Sequence, residues 1–362
     1  MPAEPTVVLD CRWLGIGGPG RTTELVLRGL AEAPPPGPWI LWGPARATSD
    51  LAWASSAVVP IEEDPRVLLG QRRAFEIPRG DFHVFMHQQR PLRDLSSATV
   101  MYDTIALRHG SHRAVRAAKR RFLRRLARSS RQILTISDYS KSTIVRDLGV
   151  DPARVDILRF PFDAALADRV LKLRAEVVTE DVALFVGGFL PHKNLPRLLA
   201  AFERSEFCRD GGGLVLVAAT AGQAAAFVDN LSPIQRSFVS VRHSCSQDDL
   251  DRLYATARFL VQPSLEEGFG LPAWEAMCCG LPVCVSDGGS LPEVTRGYAE
   301  PFPATSVPAM TAAIDACARS AGAVDEQSAA RQSEALRARA PSVRDLGLQF
   351  AGIVARHLPG AS

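Results

Sequence analysis

A chain of 362 residues is long enough for two domains of ordinary size and too long for one core. With 46% hydrophobic and 22% charged residues, its composition excludes a disordered or membrane-embedded chain. A formal charge of +3 argues against a dedicated nucleic-acid binder, but it hides a segment from Arg108 to Arg131 with ten basic residues and no acid, so the remainder carries −7. Of the 42 basic residues 38 are Arg, which makes a Lys inside a motif worth noting.

Short apolar runs alternate with helical patterns from end to end, which predicts parallel α/β layers. In the first half the strands fall at 6–11, 39–42, 82–87, 98–102 and 132–137. In the second they fall at 182–187, 214–218, 237–242, 258–262 and 282–286. Between the two sets, 160–180 carries two prolines and a polar helical stretch, so the linker is placed there. The tail from 325 to 358 is helical in pattern, with Pro341 as a break and Ser342-x-x-Asp345 as a new helix start. Seven cysteines form no CxxC pair and no zinc spacing, and the N-terminal residues show no signal peptide. Reduced thiols and a cytoplasmic location are the expectation.

After the first strand, Gly15-Ile16-Gly17-Gly18-Pro19-Gly20 precedes a helical run from Thr22. This GxGxxG pattern fits either a phosphate at a helix N-terminus or a tight βα turn without ligand. A dinucleotide site would also need an acid at the end of the second strand, where Leu41-Trp42-Gly43 has none.

In the second half, strand 182–187 runs into Gly187-Gly188-Phe189-Leu190-Pro191-His192-Lys193-Asn194, with a helix from about Leu195. Glycines admit a close ligand, and a Lys at a helix N-terminus opposes the helix dipole unless an anion joins it. After strand 258–262 comes Pro263-Ser264-Leu265-Glu266-Glu267-Gly268-Phe269-Gly270-Leu271-Pro272, then Glu275 in the helix that follows. Amides at this helix start suit phosphate oxygens, and two carboxylates beside them suit a ligand that also has hydroxyls to donate. Together these describe a nucleotide-sugar site.

On LFVGGFLPHKNLPRLLAAF (184–202) and LVQPSLEEGFGLPAWEAMCCGLPVCVSDGGSLPEV (260–294), the chain resembles the retaining glycosyltransferases of family 4. Weaker likeness covers 103–110, 133–163 and the glycine loop. The resemblance implies a GT-B fold of two facing Rossmann-like domains with a cleft between them: 1–165 on the acceptor side, 166–340 holding the donor, and a C-terminal helix in 341–362 packing back on the first. It implies that Lys193 holds the donor diphosphate, that Glu267 meets hydroxyls of the transferred sugar, and that Glu275 binds the ribose. The amides of Gly268, Phe269, Gly270 and Leu271 would meet phosphate, with Gly188 and Asn194 beside Lys193, and Gly17 and Gly18 near the diphosphate and acceptor. The residues expected to carry catalysis are thus Glu267, Lys193 and Asp103, with the nucleotide sugar as substrate and no metal or cofactor.

The sequence departs from the family pattern twice. Gly188 and Phe189 stand where many members have an Arg, and Tyr102-Asp103 stands where close relatives often read His-Asp. Asp103 can orient an acceptor hydroxyl or form a strand-end turn. The histidines His87, His109 and His112 lie near the same edge and are read as surface or packed residues.

The basic run 112–131 has Val115, Ala118, Phe122 and Leu126 at helical spacing. It fits a helix packed on the first domain with a solvated Arg face, or one attracted to an anionic membrane, which would place the protein on the inner face of that membrane. The expected partners are a nucleoside-diphosphate sugar, GDP-mannose leading, and a saccharide or lipid-linked acceptor, with no nucleic acid. An epimerase or phosphorylase of similar fold and a non-catalytic sugar-nucleotide binder are the alternatives.

Overall fold

The computed structural model describes residues 4–43, 77–88, 95–109, 112–218, 220–322 and 326–358. They form two compact units, one of residues 1–161 and 341–362 and the other of 162–340.

The first unit opens with β1 (Val7–Asp10), α1 (Gly17–Glu32), β2 (Trp39–Trp42), β3 (Phe82–Phe85) and β4 (Ser97–Val100). It continues with α2 (Arg113–Ser129), β5 (Gln132–Thr135), α3 (Asp138–Leu148) and β6 (Val155–Ile157). All six strands are parallel, in the order β2-β1-β3-β4-β5-β6. Strands buried on both faces read as continuous apolar runs, which is how VVLD and FHVF appear. β6 was missed from sequence: it is a three-residue edge strand with a single fully buried side chain, too short for a pattern to emerge.

In the second unit, α4 (Ala164–Glu176) leads to β7 (Val182–Val186), α5 (Leu195–Phe202), α6 (Glu206–Arg209), β8 (Gly213–Ala218), α7 (Ala221–Asp229), α8 (Pro233–Phe238) and β9 (Val239–His243). Then follow α9 (Gln247–Thr256), β10 (Phe259–Gln262), α10 (Leu271–Cys278), β11 (Val283–Val285), α11 (Leu291–Val294), α12 (Val307–Ala321) and α13 (Glu326–Arg337). The five parallel strands run β11-β10-β7-β8-β9 around a core rich in phenylalanine, with Phe185, Phe202 and Phe259 almost wholly buried.

The chain then returns to the first unit as α14 (Val343–Ala355). Its start is the predicted one: Ser342 and Asp345 form a reciprocal capping box. α14 packs on α1 through Gly29 and Gly347, where a Cβ on either residue would overlap the backbone of the other helix, so glycine sets the closeness of the crossing. Two sequence expectations need adjusting. The unit boundary falls at 161/162 instead of 165/166, because Phe162 and Asp163 already belong to the second unit, where Asp163 caps α4. The helix expected from Thr22 begins at Gly17, so Gly17 to Gly20 form its first turn instead of a loop.

Candidate functional site

In an open parallel sheet the strand order reverses at one point, and the loops leaving the two strands beside it diverge to leave a crevice at their carboxyl ends. In the second unit that point lies between β7 and β10. The loop after β7 carries Lys193 and the loop after β10 carries Glu267, so topology brings together two residues 74 positions apart.

Lys193 Nζ donates to Glu267 Oε1 at 2.6 Å. Gln262 Nε2 and Ser264 Oγ donate to the same oxygen at 2.7 and 2.6 Å. Burial alone would raise the Glu267 carboxyl; the Lys193 charge and these three hydrogen bonds outweigh it and hold the group below its ordinary value, ionised at neutral pH. Lys193 sits beside Gly187, where a Cβ would lie 3.8 Å from Nζ. An ammonium has three donors, so the pair with Glu267 leaves Lys193 able to meet an anion as well.

The Glu267 loop is clamped from the far side. Ser286 Oγ donates to Ser264 O at 2.6 Å, and the amide and hydroxyl of Ser290 both donate to Glu267 O at 3.1 Å. Gly289, at φ 71°, lies against the Glu267 backbone so closely that a Cβ would overlap it. Gly268 and Phe269 lead to Gly270, the N-cap of α10, whose left-handed backbone turns the chain into the helix without a side-chain cap. Among the described residues the amides of Gly270 and Leu271 have no acceptor within the chain, which leaves this helix start open to an anion. One turn further, Glu275 Oε2 accepts from Tyr254 Oη at 3.0 Å. Lys193, Glu267, the 268–271 turn and Glu275 thus occupy the loops and helix start that follow β7 and β10.

Asn194 has a structural task. It is buried at φ 61°, its Nδ2 donates to Pro263 O and Ala304 O at 2.9 and 2.8 Å, and its Oδ1 accepts from Arg197. It ties the Lys193 turn to the loop after β10, with both amide protons used on backbone carbonyls. Gly188 leaves open space, with only Gln223 Oε1 near the position of a Cβ, at 3.9 Å.

Gly17, Gly18 and Asp103 belong to the other unit. Gly17 and Gly18 open α1. Asp103 Oδ1 accepts from the amide of Ile105 at 2.9 Å, the strand-end turn weighed from sequence. Tyr102 is buried, its hydroxyl donating to Met86 O at 2.9 Å, and burial first of all pushes its phenol well up. His87 is packed on Trp13, ring centroids 4.1 Å apart.

In α2 the structure divides the expected apolar face. Leu126, with Leu123 and Ala127, is buried, whereas Val115 and Phe122 are 45% and 39% exposed. Eight basic residues and no acid share this helix. Among the described residues, no group of three His, Cys, Asp or Glu side chains could hold a metal ion, and no helix is long and apolar enough to cross a membrane.

The residues missed from sequence are Tyr254, Gln262 and the Gly289-Ser290 clamp. Gln262 alone left a signal, as a polar side chain closing an otherwise apolar strand.

The sequence profile of the family Glycosyl transferases group 1 matches residues 172–317. Among curated proteins, the O-antigen chain mannosyltransferase B of Escherichia coli is 31% identical over 177 residues, 46% of this chain and 46% of its own length. The MMP alpha-(1->4)-mannosyltransferase of Mycolicibacterium hassiacum is 31% identical over 172 residues, 47% of this chain and 40% of its own. The matched part thus spans less than half the length of these relatives. Among solved structures, Anabaena Alr3699/HepE in complex with UDP and glucose superposes with a TM-score of 0.69 at 14% identity, over 97% of this chain and 99% of that one. WaaG, a glycosyltransferase involved in lipopolysaccharide biosynthesis, gives 0.64 at 15% identity, over 98% and 100%. The fold is therefore GT-B, shared over nearly the whole chain.

Proposed function

From the match of residues 172–317 to the family Glycosyl transferases group 1, we propose that the chain moves a hexose from a nucleoside diphosphate to a saccharide or lipid-linked acceptor, with retention and without a metal. The observation that carries this reading is the Lys193–Glu267 pair at the reversal of strand order, beside the uncapped start of α10.

Cleaving the sugar–phosphate bond develops negative charge on the diphosphate and positive charge at the anomeric carbon. Lys193 and the amides of Gly270 and Leu271 meet the first, fixed in place before the reaction and so without reorganisation cost as it proceeds. Lys193 and the helix start fill the role that a divalent cation would otherwise take on the leaving group. Glu267, ionised and anchored through Oε1, presents Oε2 to the hydroxyls of the transferred sugar. Glu275, one turn into α10, accepts from the ribose.

The mannosyltransferase names of the relatives favour a mannose donor, and GDP-mannose leads. A thermal-shift screen of nucleoside diphosphates and their sugars tests this, since a ligand at 100 times its Kd adds about 2.7 kcal/mol. Release of nucleoside diphosphate that depends on acceptor is the expected second readout. No shift with any donor would sink the assignment.

For the acceptor we place α2 against an anionic membrane on its cytoplasmic face. The exposed stripe of Val115, Ala118 and Phe122 is flanked by cations, each contributing about 1 kcal/mol near such a surface. Flotation with anionic vesicles that weakens as salt rises is expected; equal binding to neutral vesicles would refute it.

A further inference from the structure

Gln262 closes β10 and is 1% exposed. Its amide bridges two parts of the candidate site: Nε2 donates to Glu267 Oε1 at 2.7 Å, and Oε1 accepts from the amide of Ala273, in the first turn of α10, at 3.2 Å. The reverse orientation would set its oxygen against the carboxylate and its NH2 group against the Ala273 N–H, so chemistry fixes which way the amide points. Of the three donors on Glu267 Oε1, the Lys193 ammonium ends a flexible stem and the Ser264 hydroxyl rotates, whereas the Gln262 amide is planar and held at its other end. With three donors on one oxygen, Oε2 is left without a side-chain donor among the described residues.

We propose that Gln262 is a positioning residue: it holds Glu267 so that Oε2 faces the transferred sugar, and it keeps that oxygen in register with the first turn of α10. This rests on the transferase reading of the same site. A glutamine that merely capped α10 would need only its own oxygen, and this difference makes the two roles separable.

The test compares Gln262→Met with Gln262→Glu in steady-state kinetics with the donor that the wild-type protein turns over. Methionine keeps the volume and removes both hydrogen bonds. Glutamate keeps an acceptor for the Ala273 amide but sets a carboxylate oxygen against Glu267 Oε1. For a positioning residue, kcat falls about tenfold in Gln262→Met and about a hundredfold or more in Gln262→Glu, with donor KM within about twofold of wild type in both. For a cap alone the order reverses, with Gln262→Glu close to wild type and Gln262→Met impaired. That order, or wild-type kcat in both, overturns the proposal. Should Gln262→Met fail to fold, Gln262→Glu decides by itself, since near-normal turnover there contradicts positioning. A wild-type protein that consumes no nucleotide sugar overturns the transferase reading instead, so the two failures are distinct.

Discussion

Each sheet reverses its strand order once, and the two reversal points are filled in opposite ways. In the second unit the loops after β7 and β10 bring an ammonium to a carboxylate beside a helix start whose Gly270 and Leu271 amides have no acceptor among the described residues. In the first, the loops after β1 and β3 stack Trp13 on His87, and the end of β1 holds a second buried ion pair, Arg12 with Asp10. That pair is closed: Arg12 Nε and Nη2 contact Asp10 Oδ1 and Oδ2 at 2.8 and 2.7 Å, and the guanidinium lies 4.2 Å from the centre of the Trp42 ring. The Lys193–Glu267 pair is a single contact through one atom on each side. A bidentate fork engages both carboxylate oxygens at once, whereas a point contact leaves one oxygen and two ammonium protons to a ligand. Burial of a charge pair is common to both units; what differs is that the Lys193–Glu267 pair leaves one carboxylate oxygen without a side-chain donor among the described residues.

The largest expected effect breaks that contrast directly. Lys193→Ala and Glu267→Ala should each lower kcat by about 10³ or more, because on the proposed reading the first meets the charge developing on the diphosphate and the second holds hydroxyls of the transferred sugar. Each should also destabilise the protein, by up to about 3 kcal/mol, since the remaining partner is left charged and buried. In the double variant neither charge remains, so its loss of stability should be less than the sum of the two. Arg12→Met should cost comparable stability for the same reason. Additive stability losses at 193 and 267, measured by urea unfolding, would mean that the two residues do not act as a pair.

The next largest effect probes the closed site. Burial, and then the Arg12 guanidinium, push His87 from 6.5 down to about 4. The folded protein therefore keeps the ring neutral where the unfolded chain already binds a proton. The stability of this packing is complete above pH 6.5 and is lost as pH falls from there towards 4, by about 3 kcal/mol in all. His87→Phe keeps a ring against Trp13 without a titrating group, so its unfolding midpoint should fall less steeply than wild type over that range. Parallel curves would show that His87 does not carry this slope.

The same contrast explains what the sequence made legible. Lys193, Glu267 and Glu275 stood out because a nucleotide-sugar ligand would ask for particular residue types at fixed spacings around strand ends, and the structure sets them in the loops and helix start after β7 and β10. The alternation of strands and helices followed from sheets buried on both faces, and the start of α14 from its capping box. β6 was too short for any pattern, and the start of α1 was placed five residues late because Gly17 and Gly18 begin a helix that has no polar cap. Asn194 sat inside a ligand motif, yet its side chain closes internal hydrogen bonds to Pro263 and Ala304, partners that are distant in sequence. Tyr254 was missed for the same reason: it lies on α9, 21 positions before the carboxylate it contacts, and as an apolar-face tyrosine it reads as core.

Tyr254 also supplies the smallest expected effect, and the one that sharpens the comparison most. Glu275 is the carboxylate assigned to the ribose, a contact made equally in the ground and transition states, so Glu275→Ala should raise donor KM about tenfold with kcat little changed. Tyr254 is 1% exposed, and its hydroxyl donates to Glu275. Tyr254→Phe removes that hydrogen bond and keeps the packing, leaving Glu275 present but held by one contact fewer, so KM should rise by about threefold. In the Glu275→Ala background the same change should do nothing further, because the hydroxyl then has no carboxylate to orient. An equal rise in both backgrounds would assign the Tyr254 hydroxyl to the nucleotide itself and would widen the open site of the second unit by one residue.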